Sequence, residues 1–273
     1  MNILSLRSSA VERLPCKQKV AGPAPVGGLF DNMKIKGVMF DFDNTLINAS
    51  KTLDDANKSV LNKIQEDFET MNFKTFDSIL EKAQKKFDSL DPIKRYRKLF
   101  YEIFAEESGI NIGTEKINVY SEIFESHLIN RMEFTEGVEE VLDRLKKRGL
   151  KIGLLTGEGL YPGLKKRTLA KFDYNEKFDV KIIARDNIPE SKHSPEAFKK
   201  AAEMLKLKTG EILFIGDTPE IDIDNAKEAG MKTVLFDKYN EEKQKISKNK
   251  PDFIIEDLRN VYKILDSLNQ ELD

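Results

Sequence analysis

Apolar and polar positions along this chain follow two rhythms. Short apolar runs of strand length recur at Gly37-Val38-Met39-Phe40, Lys151-Ile152-Gly153-Leu154-Leu155, residues 180–184, residues 211–215, residues 232–236 and Pro251-Asp252-Phe253-Ile254-Ile255. Such runs, bounded by turn residues, predict buried strands. Between them the period lengthens to that of a helix. Val138, Val141, Leu142 and Leu145 share one face, with Thr135 as the expected cap and Gly149 as the stop. Pro195 opens a second such segment, with Phe198, Ala201, Ala202 and Leu205 inward. A further helix is expected near 225–229, ended by Gly230, and another after the last strand. Strands separated by helices predict an α/β fold with a parallel, doubly wound sheet and right-handed crossovers.

Residues 49–132 keep only the helical rhythm. Asp54 or Asp55 can begin a helix carrying Leu61, Ile64 and Phe68. Asp91-Pro92 is a start signal for a stripe of Tyr96, Leu99, Phe100, Ile103 and Phe104, punctuated by Gly109 and Gly113. Tyr120, Ile123, Phe124, His127 and Leu128 form the next stripe. This block predicts a small helical domain inserted after the first strand, with residues 33–48 and 133–273 forming the α/β core. His127 lies on an apolar stripe, so a packed histidine at the domain edge is expected. Residues 1–32 end in Ala21-Gly22-Pro23-Ala24-Pro25-Val26-Gly27-Gly28, an extended composition. They read as a disordered tail or as a stretch ahead of a natural start at Met33, with no role in the fold on either reading.

Charge narrows the class. The formal net charge is −2, which gives no reason to expect nucleic-acid or anionic-membrane binding. No stretch has the roughly 18 apolar residues of a membrane span. Cys16 is the one cysteine, so no intrachain disulfide can form, and a reducing, cytoplasmic setting is expected.

Polar residues then gather where the apolar runs end. The first run breaks into Asp41-Phe42-Asp43-Asn44-Thr45-Leu46; the second ends in Thr156-Gly157; the fourth ends in Gly216-Asp217-Thr218, with Asp222 five residues after Asp217. Lys192 lies in the loop before the helix opened by Pro195. Taken singly, these are ordinary turn formers, helix caps and surface charges. In an open parallel sheet, however, ligands bind outside the carboxyl ends of the strands, and all of these residues fall there.

Four motifs, in order, resemble those of the haloacid dehalogenase superfamily of phosphatases. Asp41-Phe42-Asp43-Asn44-Thr45-Leu46 matches the first and Thr156 the second. Lys192-His193-Ser194-Pro195-Glu196-Ala197-Phe198 resembles the third, with His193 in place of a usual proline. Gly216-Asp217-Thr218-Pro219-Glu220-Ile221-Asp222 matches the fourth. The resemblance spans about residues 35–265, and the inserted helices resemble the cap domain of phosphoglycolate phosphatase-like members. It implies a phosphatase acting on a small organic phosphate monoester through an aspartyl-phosphate, with Asp41 as nucleophile and Asp43 as acid/base. Mg²⁺ would be held by Asp41, the Asp43 carbonyl and Asp217, with Asp222 as a ligand or as the residue orienting one. Thr156 and backbone amides near Gly157 would bind the phosphoryl oxygens, and Lys192 would neutralise their charge. Dehalogenases of this superfamily lack an acid at the position of Asp43, since a halide leaves without a proton. A phosphomutase is the nearest enzymatic alternative, and a non-catalytic scaffold on the same core is the alternative of another class. A monomer or homodimer is expected. The cap would set which small molecule is accepted.

Overall fold

The structure is a computed structural model and describes residues 34–68, 73–90, 97–159, 163–239 and 248–270. The expected tail, Met33 and the Asp91-Pro92 start signal lie outside the described residues. Six strands form one sheet: β1 (Gly37–Phe40), β2 (Lys151–Thr156), β3 (Val180–Ile183), β4 (Ile212–Gly216), β5 (Lys232–Phe236) and β6 (Phe253–Ile255). Their order is β3-β2-β1-β4-β5-β6, and every pairing is parallel. The order reverses between β1 and β4, and at that switch point the loops diverge to opposite faces and leave a crevice.

Side chains of a strand alternate between faces, and both faces here are covered. Val38 and Phe40 of β1, Ile152 and Leu154 of β2, and Leu213 and Ile215 of β4 enter one apolar cluster. It also contains Val138, Val141, Leu142 and Leu145 of α5 (Val138–Lys147) and Val261 and Leu265 of α9 (Val261–Gln270). Met39, Leu155, Ile212 and Phe214 point the other way. There they meet Ala197, Phe198, Ala201 and Leu205 of α7 (Pro195–Leu205) and Ala226 of α8 (Asp224–Glu228).

Among the described residues, four helices precede α5: α1 (Ala49–Asp67), α2 (Phe73–Asp88), α3 (Arg97–Ser108) and α4 (Thr114–Asn130). They share a separate apolar cluster that includes Ile64, Phe76, Phe104, Tyr120 and Phe124. The two segments joining them to the sheet run side by side. Ile47 bridges Phe134 in antiparallel sense, Asn48 N–H donates to the Glu133 carbonyl at 2.7 Å, and Thr135 N–H donates to the Leu46 carbonyl at 2.9 Å. His127 is packed as expected: its Nδ1 lies 3.2 Å from Ser59 Oγ, and burial holds its pKa below the ordinary value.

Two expected helix starts are corrected. The first helix begins not at Asp54 or Asp55 but at Ala49, because Asn48 Oδ1 accepts from Lys51 N–H at 3.1 Å and supplies the cap earlier. Thr135 does not cap α5. Its buried hydroxyl finds no partner among the described residues, and Gly137, at φ 83°, turns the chain into the helix instead.

Candidate active site at the sheet's carboxyl edge

The ladder outlasts β1 by one residue, since Asp41 N–H donates to the Ile215 carbonyl at 2.8 Å. The chain then curls. Leu46 and Ile47 both donate to the Phe42 carbonyl, at 3.0 and 3.2 Å, and Asn44 takes a left-handed φ of 54°. Asparagine tolerates that conformation better than most residues. An extended chain would aim Asp41 and Asp43 at the same face but carry the second further along the strand; the curl instead holds both carboxylates at the rim. They differ in setting: the Asp41 side chain is 7% exposed and that of Asp43 is 43% exposed.

The fourth strand ends in a comparable way. After Asp217, a π-helical turn over Pro219–Ile223 folds Asp222 back, and Thr218 N–H donates to Asp222 Oδ2 at 3.0 Å. A Cβ on Gly216 would lie 2.4 Å from the Asp222 carboxylate carbon, so only glycine admits this approach.

Lys192 meets both groups. Its buried ammonium pairs with Asp41 and lies 2.6 Å from Asp222 Oδ1. The loop that holds it lacks the proline expected before Ser194. Ser191 takes over: its carbonyl accepts from Ser194 N–H at 3.0 Å and its hydroxyl from His193 N–H at 3.3 Å.

Thr156 ends β2 and is fully buried, with its hydroxyl 3.5 Å from the Gly157 carbonyl. Phe40 is in register with Leu154, which sets Thr156 level with the turn that begins after Asp41. A Cβ on Gly157 would meet nothing within 4 Å, so packing does not demand glycine there. Thus Asp41, Lys192, Asp217 and Asp222 converge, Asp43 stands at the mouth, and Thr156 and Gly157 flank them on the neighbouring strand.

The electrostatics of this cluster suit a bound cation. Carboxylate oxygens of Asp41, Asp217 and Asp222 all lie within 4.8 Å of one another. At an effective dielectric of about 20, each such pair of charges repels by about 3 kcal/mol. Burial pushes the Asp41 pKa well up; Lys192 works against the shift, and Asp222, Asp217 and Asp43 add to it. Burial also pushes Asp217 up to about 7, with Asp222 reinforcing and Lys192 and the Thr218 hydroxyl opposing. Burial disfavours the Lys192 charge, yet Asp222 and Asp41 outweigh it and hold that pKa above the ordinary value. One ammonium against three carboxylates leaves excess negative charge. An all-oxygen donor set of this kind fits a hard divalent ion such as Mg²⁺.

One residue of the site escapes sequence reasoning. Lys165, in α6 (Leu164–Ala170), is 6% exposed, and its Nζ lies 2.5 Å from Asp43 Oδ2. The sequence Lys165-Lys166-Arg167 reads as a solvated charge run. The available signal is positional: Leu164, Thr168 and Leu169 are the buried face of α6, and Lys165 shares it.

Comparison with known proteins gives a family and a shared fold. The family described as haloacid dehalogenase-like hydrolase matches residues 38–236. The pyrophosphatase PpaX of Bacillus mycoides (strain KBAB4) is 28% identical over 240 residues, covering 87% of this chain and 100% of that protein. The pyrophosphatase PpaX of Bacillus cereus (strain Q1) is 29% identical over 241 residues, with the same two coverages of 87% and 100%. Among solved structures, a HAD phosphatase from Thermococcus onnurineus superposes with a TM-score of 0.59 at 22% identity, covering 85% of this chain and 98% of that chain. A haloacid dehalogenase-like family hydrolase from Xanthomonas campestris gives 0.62 at 15% identity, covering 88% and 98%. At these identities the two structures establish the shared fold.

Proposed function

The chain belongs to the haloacid dehalogenase-like hydrolase family, and from that premise we infer that it is a Mg²⁺-dependent phosphatase acting through an aspartyl-phosphate on a small organic phosphate. The observation that carries this reading is the pairing of two unlike carboxylates on one turn: Asp41 buried against Lys192, and Asp43 half-exposed at the mouth. The first suits a nucleophile approached by phosphorus, the second a proton carrier facing the leaving group.

Asp41, Asp217 and Asp222, with the Asp43 carbonyl, would hold the ion. When bound, Mg²⁺ would offset the repulsion between the Asp41 carboxylate and the phosphate dianion. The chain's own residues do the rest. Lys192 places positive charge beside the nucleophile and the transferring oxygens, and Thr156 with the amides near Gly157 orients those oxygens. An Asp41 oxygen attacks phosphorus, and the phosphorus–oxygen bond to the leaving group breaks. Its electron pair goes to the leaving oxygen, which takes a proton from Asp43. Water then attacks the same phosphorus. Asp43 accepts one proton from it, the bond to Asp41 breaks, and the carboxylate is restored. A proton carrier at position 43 favours an oxygen leaving group over a halide. The helical body α1–α4 would act as the cap that encloses the leaving group and sets its size.

A second reading of the substrate is supported by the relatives named pyrophosphatase, which match 87% of this chain. Inorganic pyrophosphate is cleaved by the same two steps, with phosphate as the leaving group. The reading fits a reducing cytoplasm, since the chain has a single cysteine, and no helix among the described residues is long and apolar enough to cross a membrane. The test is phosphate release from an aryl phosphate and from pyrophosphate, with and without Mg²⁺. Release that requires the ion supports the proposal. A folded protein that releases none from either overturns it.

A further inference from the structure

The chemistry proposed above uses one lysine, but the site contains two. Lys192 lies on the nucleophile's side, against Asp41 and Asp222. Lys165 lies on the other side, against Asp43. Its side chain is 7% exposed, its ammonium sits 5.0 Å from the Phe42 ring centroid, and a Cβ on Gly159 would meet its Cε at 3.5 Å. Burying a lysine costs several kcal/mol unless its charge is used, and a structural need is met more cheaply by leucine or methionine. Its carboxylate partner is itself half-exposed and can be hydrated without it.

The location of α6 gives the charge a use. Two residues on, Arg167 Nη2 lies 2.5 Å from Glu125 Oε1 of α4, so α6 stands where the helical body meets the sheet edge. A group attached to the ester oxygen that Asp43 serves therefore comes within reach of the Lys165 ammonium. An uncharged hydroxyl offers that ammonium only a weaker, neutral acceptor. A carboxylate or a second phosphate offers a charge-assisted hydrogen bond in a water-poor setting.

We propose that Lys165 binds a second negative charge carried on the leaving-group side of the substrate, so that the enzyme prefers doubly anionic substrates: phosphates whose leaving portion is itself a carboxylate or a phosphate. The inference rests on the phosphatase reading and goes beyond it by naming this substrate class and the residue that selects it.

The experiment uses three substrates of similar size: 2-phosphoglycolate, pyrophosphate and 2-hydroxyethyl phosphate. The first and third share an alkyl leaving oxygen and differ in the charge beyond it. For the full chain with Mg²⁺, kcat/KM is expected to be highest for one or both of the anionic substrates, and which one leads tells carboxylate from phosphate. Lys165→Met also removes the cation beside Asp43 and so is expected to slow every substrate, but the leading anionic value should fall roughly 10- to 100-fold further than that for 2-hydroxyethyl phosphate. Lys165→Arg keeps the charge and is expected to retain most of the preference. Melting temperature monitors folding in each variant. Equal losses on all three substrates would make Lys165 a positioning or structural residue, and no loss would remove it from the site; either overturns the proposal. A parent protein that hydrolyses 2-hydroxyethyl phosphate as well as the anionic pair overturns it too, and leaves the phosphatase reading standing. A parent protein that hydrolyses none of the three but releases phosphate from the aryl phosphate overturns the proposal alone, and one that releases none from any of the four overturns both.

Discussion

The sheet edge and the helical body bury very different side chains. At the edge, Asp41, Asp217, Asp222, Lys192 and Lys165 are each no more than 9% exposed. Within residues 49–132, the only buried non-aromatic polar side chain among those described is Thr52, whose hydroxyl donates to the Asn48 carbonyl at 3.0 Å. Charges of the helical body pair at its surface, as in Lys63 with Asp67 at 2.9 Å and Lys86 with Glu106 at 2.7 Å. Surface pairs of this kind contribute little to stability. A core of Phe, Tyr, Ile and Leu holds the helices together, so that region has no motive for buried charge. The edge carries like charges at close range and is held by the apolar clusters on both sheet faces. Its charges strain the molecule, and on the function proposed above they are retained for chemistry. The comparison separates residues that can change without loss of fold from those that can change without loss of activity.

The sharpest way to break it is Asp41→Asn. This change removes a buried charge whose pKa is already pushed up by burial, so the melting temperature should hold or rise. Turnover should fall by roughly 10⁴-fold or more, because the attacking oxygen is gone. Phosphate release and a thermal scan on one preparation check both halves. A cold unfolding variant would show that the Asp41–Lys192 pair is structural.

The reciprocal change is Phe104→Ala in α3. Phe104 is fully buried and packs edge-on against Phe76, with ring centroids 5.7 Å apart. Truncation should cost about 3–5 kcal/mol. Calorimetric Mg²⁺ binding at the sheet edge should survive at temperatures where the variant is folded. Denaturant unfolding measures the first effect. Loss of metal binding in a folded variant would show that the two regions are not separable.

Smaller and more specific is the linkage of Mg²⁺ to protons through Asp217. Its pKa is 3.8 ordinarily and about 7 when folded and metal-free. The folded protein thus keeps a proton that the unfolded chain has lost. The stability contribution of that proton is present below the ordinary value and is lost as pH rises through about 7. Metal-free stability should therefore fall between about pH 4 and 7, and Mg²⁺ affinity should rise over the upper part of that range as the proton ceases to compete. Asp217→Asn should weaken Mg²⁺ binding roughly 10- to 100-fold and flatten its pH dependence. Calorimetric titrations at pH 6 and pH 8 decide it: equal parent affinity at both would mean that no proton competes at the site near neutrality, and unchanged affinity in Asp217→Asn would remove Asp217 from the metal set.

How much of this was legible in the sequence follows from the same contrast. The strands β1, β2 and β4 were, because continuous apolar runs are unmistakable when a strand is buried on both faces, whereas the edge strands β3 and β6, with Lys181 and Ile254 exposed, were read from shorter runs. Asp41, Asp43, Asp217 and Asp222 were placed at one rim because each follows such a run. Lys192 kept its place although His193 replaces a proline, since Ser191 closes the loop by hydrogen bonds that composition does not announce. Helix starts were less legible. Asn48 and Asp54 are both good cap residues, and only the pairing of the linker at Ile47 and Phe134 decides between them. Lys165 was missed because α6 has seven residues, too few for a periodic stripe to separate one lysine from the next two cations.

The gentlest test concerns the contact between the two regions. Arg167 and Glu125 join α6 to α4, with side chains 48% and 31% exposed. Solvent screens a pair this open, so its coupling energy should be no more than about 1 kcal/mol. A double-mutant cycle with Arg167→Ala and Glu125→Ala measures that coupling directly. The single changes should leave kcat on 2-hydroxyethyl phosphate within about twofold, because neither residue touches the reacting atoms. If the helical body must lift to admit substrate, weakening this contact should instead raise the rates of substrate entry and product release. That appears as a change in KM with little change in stability. Salt separates the two effects, since raising ionic strength weakens the exposed pair and should make the parent protein behave like the variants. A coupling above about 2 kcal/mol, insensitive to salt, would mean that the pair is clamped in a drier interface than its exposure indicates, and that the helical body and the sheet edge move as one unit.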